Sequence, residues 1–99
     1  MVKEIKENEF KEVISSNKKV VVDCFATWCG PCMMLAPIVE AISEEKKDVS
    51  FYKLDVDDCK VIPREYGIMS IPALLVFEDG ELKQTIVGLR SKSELEKMI

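Results

Sequence analysis

Val20-Val21-Val22-Asp23-Cys24-Phe25-Ala26-Thr27-Trp28-Cys29-Gly30-Pro31-Cys32 is the stretch that decides how this chain folds. Its first six residues, opening on three β-branched valines, form a mostly apolar run, which reads as a strand buried on both faces. Two cysteines spaced three apart follow directly. Beyond them, Leu35, Ile38, Val39 and Ile42 recur at helical spacing, with Glu40, Ser43, Glu44, Lys46 and Lys47 on the other side. A helix over Met33 to Lys47 is expected. Pro31 sits at its start, where proline is tolerated, and Pro37 lies inside it, where a kink is expected. The cysteines therefore mark a helix N-terminus.

Downstream, Ser50 to Val56 reads as a second buried strand, so that strand, helix and strand make a right-handed parallel β-α-β unit. A short helix over Cys59 to Tyr66, capped by Asp57 or Asp58 and ended by Gly67, is expected next. Ile68 to Pro72 reads as a loop and Ala73 to Phe77 as a third apolar strand. Asp79-Gly80 is a strong hairpin signal that returns the chain along Leu82 to Val87. Gly88 marks a bend, and Ser91-Lys92-Ser93-Glu94 is a capping box opening a last helix. Upstream, residues 2 to 6 alternate as a weak edge strand. Asn8 is a candidate cap for a helix through Phe10, Val13 and Ile14. The order is β-α-β-α-β-α-β-β-α, one mixed sheet with helices on both faces.

At 99 residues, one domain spanning residues 1–99 is expected. The formal net charge is −4 and the basic residues are scattered, which disfavours nucleic-acid binding. No apolar run approaches the length of a membrane span, and residues 1 to 5 lack the apolar core of a signal peptide, so a cytoplasmic location is expected. The chain has no histidine, which removes Cys-His and Ser-His catalysis and every His-ligated metal site. Thiols and carboxylates must carry any chemistry.

Three readings compete for Cys29 and Cys32. A zinc site needs a second ligand pair, and Cys24 and Cys59 are not spaced as one. A structural disulfide over two intervening residues closes too small a loop to stabilise much. A redox dithiol has a mechanism. Cys29 at a helix N-terminus favours a thiolate that attacks a target disulfide; Cys32, one turn in, resolves the mixed disulfide. Cys32 then needs a proton acceptor. Asp23, inside an apolar strand, is the candidate base, with Lys53 on the neighbouring strand as its tuner. The plainer alternative places Asp23 where the strand meets solvent or caps a turn. Cys24 reads as inert packing; Cys59 reads as an unpaired thiol or as a regulatory or dimer-forming one.

The run V-V-D-C-F-A-T-W-C-G-P-C, with K-L-D-V-D, Y-G-I, S-I-P-A-L-L-V-F, D-G and V-G after it, resembles the thioredoxin family over nearly the whole chain. The resemblance implies the thioredoxin fold, an α/β architecture with a single mixed five-stranded sheet in the order 1-3-2-4-5 flanked by four helices. It implies Cys29 as nucleophile, Cys32 as resolving thiol, and a Cys29–Cys32 redox disulfide tuned by Gly30 and Pro31. Trp28, Ile71, Pro72 and Gly88 would meet the substrate chain. The Ile71–Pro72 bond would be cis, where the general preference of X-Pro bonds points to trans. A protein-disulfide reductase is implied, a monomer without cofactor or metal, with thioredoxin reductase and disulfide-containing proteins as partners. Met33, Met69 and Ser70 depart from the family pattern and make the contact surface more apolar. A binding module with incidental redox chemistry is the alternative class. A glutaredoxin is weakened by the intact Trp28-Cys29-Gly30-Pro31-Cys32.

Overall fold

A computed structural model describes residues 1–99. Strands β1 (Lys3–Glu4), β2 (Lys19–Phe25), β3 (Ser50–Asp55), β4 (Ala73–Glu78) and β5 (Glu81–Val87) form one sheet in the order β1-β3-β2-β4-β5. Helices α1 (Phe10–Ser16), α2 (Gly30–Glu45), α3 (Val61–Glu65) and α4 (Lys92–Met98) cover its faces, and a 3-10 turn at Glu7–Glu9 leads into α1. β2 runs parallel to β3 and antiparallel to β4, so it is hydrogen-bonded along both edges. The expected order and helix count are both present.

The two-residue period of a strand sorts the core into two layers. Val20, Val22 and Cys24 point to one face, where Phe10, Ile14, Leu54, Cys59, Ile62 and Phe77 pack under α1 and α3. Val21 points to the other, among Leu35, Val39, Ile42, Phe51, Leu74 and Leu95 under α2 and α4. Asp23 shares the parity of Val21, and Lys53 that of Phe51. Both charges therefore lie on the α2 side of the sheet, opposite each other in the β2–β3 register.

The same topology gathers the site. β2 and β3 end together, with Phe25 opposite Asp55. Antiparallel β4 begins at that end, with Ala73 opposite Cys24, and β5 finishes there, with Val87 opposite Ala73. Asp79 and Gly80 both have positive φ, 52° and 82°, which is the turn an Asp-Gly pair makes between twisted strands.

Three local expectations need correction. Asn8 lies inside the 3-10 turn and caps nothing; the Lys6 N–H donates to Glu9 Oε1 at 2.8 Å instead. Neither Asp57 nor Asp58 caps α3. That role falls to Glu7, whose carboxylate accepts from the N–H groups of Val61 at 3.3 Å and Ile62 at 2.9 Å. Pro63 sits in the first turn of α3, where its missing N–H leaves no bond unmade. Ser43, expected on the polar side of α2, is buried, because its hydroxyl donates back to the Glu40 carbonyl at 2.6 Å.

Glu7→Ala should destabilise the protein by about 1 kcal/mol, the usual worth of a helix cap, in urea titration. Asn8→Ala should leave the midpoint unchanged.

Candidate active site

Cys29 is the N-cap of α2, with extended backbone angles, and Gly30, Pro31 and Cys32 form the first helical turn. A short turn after β2 sets this up, closed by the Cys29 N–H donating to the Ala26 carbonyl at 3.2 Å. The sulfurs of Cys29 and Cys32 are joined in a disulfide, with their Cα atoms 5.2 Å apart. The Cys32 N–H donates to Cys29 Sγ at 3.2 Å. That bond, with the positive end of a 16-residue helix, stabilises negative charge on the Cys29 sulfur once the disulfide opens. Cys32 is 1% exposed and Cys29 5%, so the outer sulfur is the one a partner can reach.

Phe25, Ala26, Val56 and Ile71 pack around the pair. The Ile71–Pro72 peptide is cis, as the family resemblance implies. The Pro72 carbonyl accepts from the Gly88 N–H at 2.8 Å, tying the β4 entrance to the β5 exit. Gly88 holds φ at +92°, a conformation that side chains disfavour. Beside the disulfide, Trp28, Val56, Pro63, Ile68, Met69 and Ile71 line a shallow cleft of about 200 Å³. Larger hollows, about 450 and 490 Å³, lie against α1, away from the residues that pack around the sulfurs. The cleft by the dithiol is small but adjoins the chemistry. Gly30 has nothing within 4 Å of where a Cβ would stand, so this fold does not require its lack of a side chain.

Asp23 lies beneath α2. It is 4% exposed, and its Oδ1 has no hydrogen-bond partner. Burial raises its carboxyl to about pH 7, with Lys53 pulling the other way. The Lys53 ammonium rests 5.7 Å from the centre of the Phe25 ring. The plainer reading of Asp23, as a solvent-facing or turn-capping residue, is thereby set aside.

Cys24 and Cys59 are free and buried. Burial lifts the Cys24 thiol to about 12 and raises that of Cys59 too. Cys24 is inert packing at neutral pH, and Cys59 is 1% exposed. Glu4, Asp55 and Asp58 converge elsewhere, and the Lys6 ammonium, 3.7 Å from Glu4 and 3.5 Å from Asp58, offsets part of their charge.

One contact escapes a reading of the sequence. The Trp28 indole N–H donates to Asp57 Oδ2 at 2.8 Å, and the Asp57 N–H donates to Asp55 Oδ1 at 2.9 Å. Trp28 is 71% exposed, so this bond holds its ring in place where packing does not. Three aspartates in four residues, at 55, 57 and 58, were the available signal.

The family model for thioredoxin matches residues 1–99. This chain belongs to the thioredoxin family. Its Cys29–Cys32 pair is the redox couple of a thioredoxin-type protein-disulfide reductase. The thioredoxin of Listeria monocytogenes is 46% identical over 100 residues, which covers all of this chain and 96% of that one. A mutant thioredoxin from Halobacterium salinarum superposes with a TM-score of 0.92 at 37% identity, covering 98% of this chain and 86% of that one. A bifunctional thioredoxin reductase/thioredoxin of Mycobacterium leprae is 46% identical over 87 residues, 87% of this chain but 19% of that one.

Asp23 makes stability depend on pH. Unfolding returns its carboxyl from about 7 to the ordinary 3.8. Between those values the unfolded chain has lost the proton and the folded one keeps it, so stability falls as pH rises. The difference is roughly 4 kcal/mol above pH 7. Asp23→Asn should recover much of that at alkaline pH and little below pH 4, as paired urea titrations would show.

Proposed function

We propose that Cys29 attacks a disulfide of another protein and that Cys32 resolves the resulting mixed disulfide, with Asp23 taking the Cys32 proton. The observation that carries this is the stacking of three groups. Cys29 caps α2 and accepts from the Cys32 N–H, and an unpartnered carboxylate lies on the sheet face below. Cys29 Sγ displaces one target sulfur as a thiolate. Asp23 then removes the proton of Cys32, whose sulfur attacks Cys29 Sγ. The target's second sulfur leaves with the electron pair, and the Cys29–Cys32 disulfide remains. A group with a carboxyl near 7 suits this task, since half of it is free to act as base at neutral pH. Lys53 opposes the burial of Asp23 and so keeps a usable fraction ionised. Gly30 leaves room for a partner's backbone, and Gly30 and Pro31 tune the couple.

Trp28, Ile71, Pro72 and Gly88 bind the substrate chain in this reading. Trp28 and Ile71 line the cleft beside the disulfide, and Pro72 and Gly88 are tied together at its end of the sheet. Asp57 acts through Trp28 as a positioning residue. Electrons come from thioredoxin reductase; the Mycobacterium leprae relative, by its name, joins both activities in one chain. Residues 1–99 act as one thioredoxin domain and as a monomer in the cytoplasm, a reducing compartment that suits the unpaired Cys24 and Cys59. No helix is long and apolar enough to cross a membrane.

Insulin reduction with dithiothreitol as electron source tests the reading. Cys29→Ser and Cys32→Ser should each abolish turnover, and Cys32→Ser should accumulate a covalent adduct with its target. A protein that binds targets equally well in both variants, with no adduct, would be a docking module instead. Asp57→Ala should raise KM for insulin several-fold with kcat little changed, because it frees the Trp28 ring without touching the sulfurs.

A further inference from the structure

Asp23 can take the proton of Cys32 only when it is itself ionised, and it is almost wholly buried, so any proton it already holds needs a way out. Its carboxylate borders a pocket. This pocket of about 250 Å³ between the sheet and α2 is lined by Asp23, Lys53, Val2, Pro37 and Glu40, among others. At about 30 Å³ for each water, it has room for several. The unpartnered Oδ1 of Asp23 is the kind of buried acceptor that such water satisfies.

Glu40 stands at the outer side of this pocket, with its side chain half exposed. It is held there rather than left free: the Val2 N–H donates to Glu40 Oε2 at 3.0 Å, and the Met1 ammonium lies 3.7 Å from Oε1. The charged groups that face the pocket are thus Asp23 from β2, Lys53 from β3 and Glu40 from α2, with Met1 beyond. Among the residues that line the pocket, Glu40 is the one carboxylate besides Asp23.

We propose that Glu40 relays the proton of Asp23 to solvent through water in this pocket, and so serves the resolving step as a positioned second carboxylate. The relay rests on the assignment of Asp23 as base for Cys32. In balance, Cys32–SH and Asp23–COO⁻ become Cys32–S⁻ and Asp23–COOH. The thiolate attacks Cys29 Sγ, the bond from Cys29 to the target breaks, and the target leaves as a thiolate with the electron pair. Asp23–COOH passes its proton to pocket water, that water passes one to Glu40, and Glu40 gives it to bulk solvent. A carboxylate is a stronger base than water, so the path through Glu40 is easier than release to water alone. Lys53, a cation on the pocket wall, cannot accept the proton while charged.

Glu40→Gln tests this, because the amide oxygen can still accept from Val2 and the local fold is kept. The reduced protein is mixed with dithiobis(nitrobenzoate) in dilute buffer near neutral pH. The first thionitrobenzoate released reports attack by Cys29, and the second reports resolution by Cys32. At a pH a little below 7, where most Asp23 starts protonated and must lose its proton before Cys32 can resolve, Glu40→Gln should leave the first release unchanged and slow the second on the order of tenfold. Added formate or imidazole, small enough to enter the pocket, should restore it. A second release at the wild-type rate would overturn the relay. So would a slow release that added buffer does not speed, which would make Glu40 a structural residue only. Asp23→Asn, run beside it, separates the two levels. If that variant is slow and Glu40→Gln is not, the relay alone falls; if it matches wild type, the assignment of Asp23 falls and takes the relay with it.

Discussion

Strand β2 is hydrogen-bonded to β3 along one edge and to β4 along the other, and helices cover both of its faces. A strand held on four sides has no freedom to slip, because a shift of one residue would exchange Val21 and Asp23 with Val20 and Val22. That register sets where β2 stops, and so where Cys29 begins α2. It also puts Asp23 under the helix that carries Cys32 rather than on the α1 side. The other site elements are referenced to the same strand, since Ala73 pairs with Cys24 and Val87 with Ala73. Cis-Pro72 and Gly88 are thereby brought level with the disulfide.

Asp23 is where this framework works against itself. A carboxylate among fully buried valines raises the free energy of the folded state whenever it is ionised. An apolar residue would suit the core better. The same burial moves its carboxyl to about 7, into the range where it can exchange a proton at neutral pH. The destabilisation and the raised carboxyl have one cause. The surrounding strand tolerates it because Val20, Val21 and Val22 are completely buried and the two flanking ladders are intact.

The surface around the disulfide has the opposite character. Trp28, Met34 and Met69 stand 71%, 62% and 95% exposed, a large apolar area for so small a protein. Only Trp28 among them is fixed by a hydrogen bond, to Asp57. A rigid ring beside flexible thioethers suits contact with varied apolar segments of partner chains. The sulfurs sit in a firm core while exposed apolar side chains stand at the surface.

Much of this was legible in the residues themselves. The β-branched run at Val20, the Asp-Gly turn and the Cys-Gly-Pro-Cys helix start follow from local backbone preference and hydrophobic period, and they suffice for the element order. The charge at Asp23 stood out for the same reason, as a break in an apolar pattern. Glu7, Asp57 and Glu40 did not stand out, since each is one acidic residue among eighteen. Glu7 caps a helix 54 residues away, Asp57 holds an indole 29 residues back, and Glu40 faces Asp23 only across the gap between sheet and helix. Residue order alone names the sulfurs that do the chemistry, because a dithiol at a helix start is a local pattern. Which acidic residue caps, holds or shares a pocket with a distant segment is settled by the folded chain. A hydrogen bond or a shared pocket between distant segments depends on packing, and packing leaves no periodic trace along the chain.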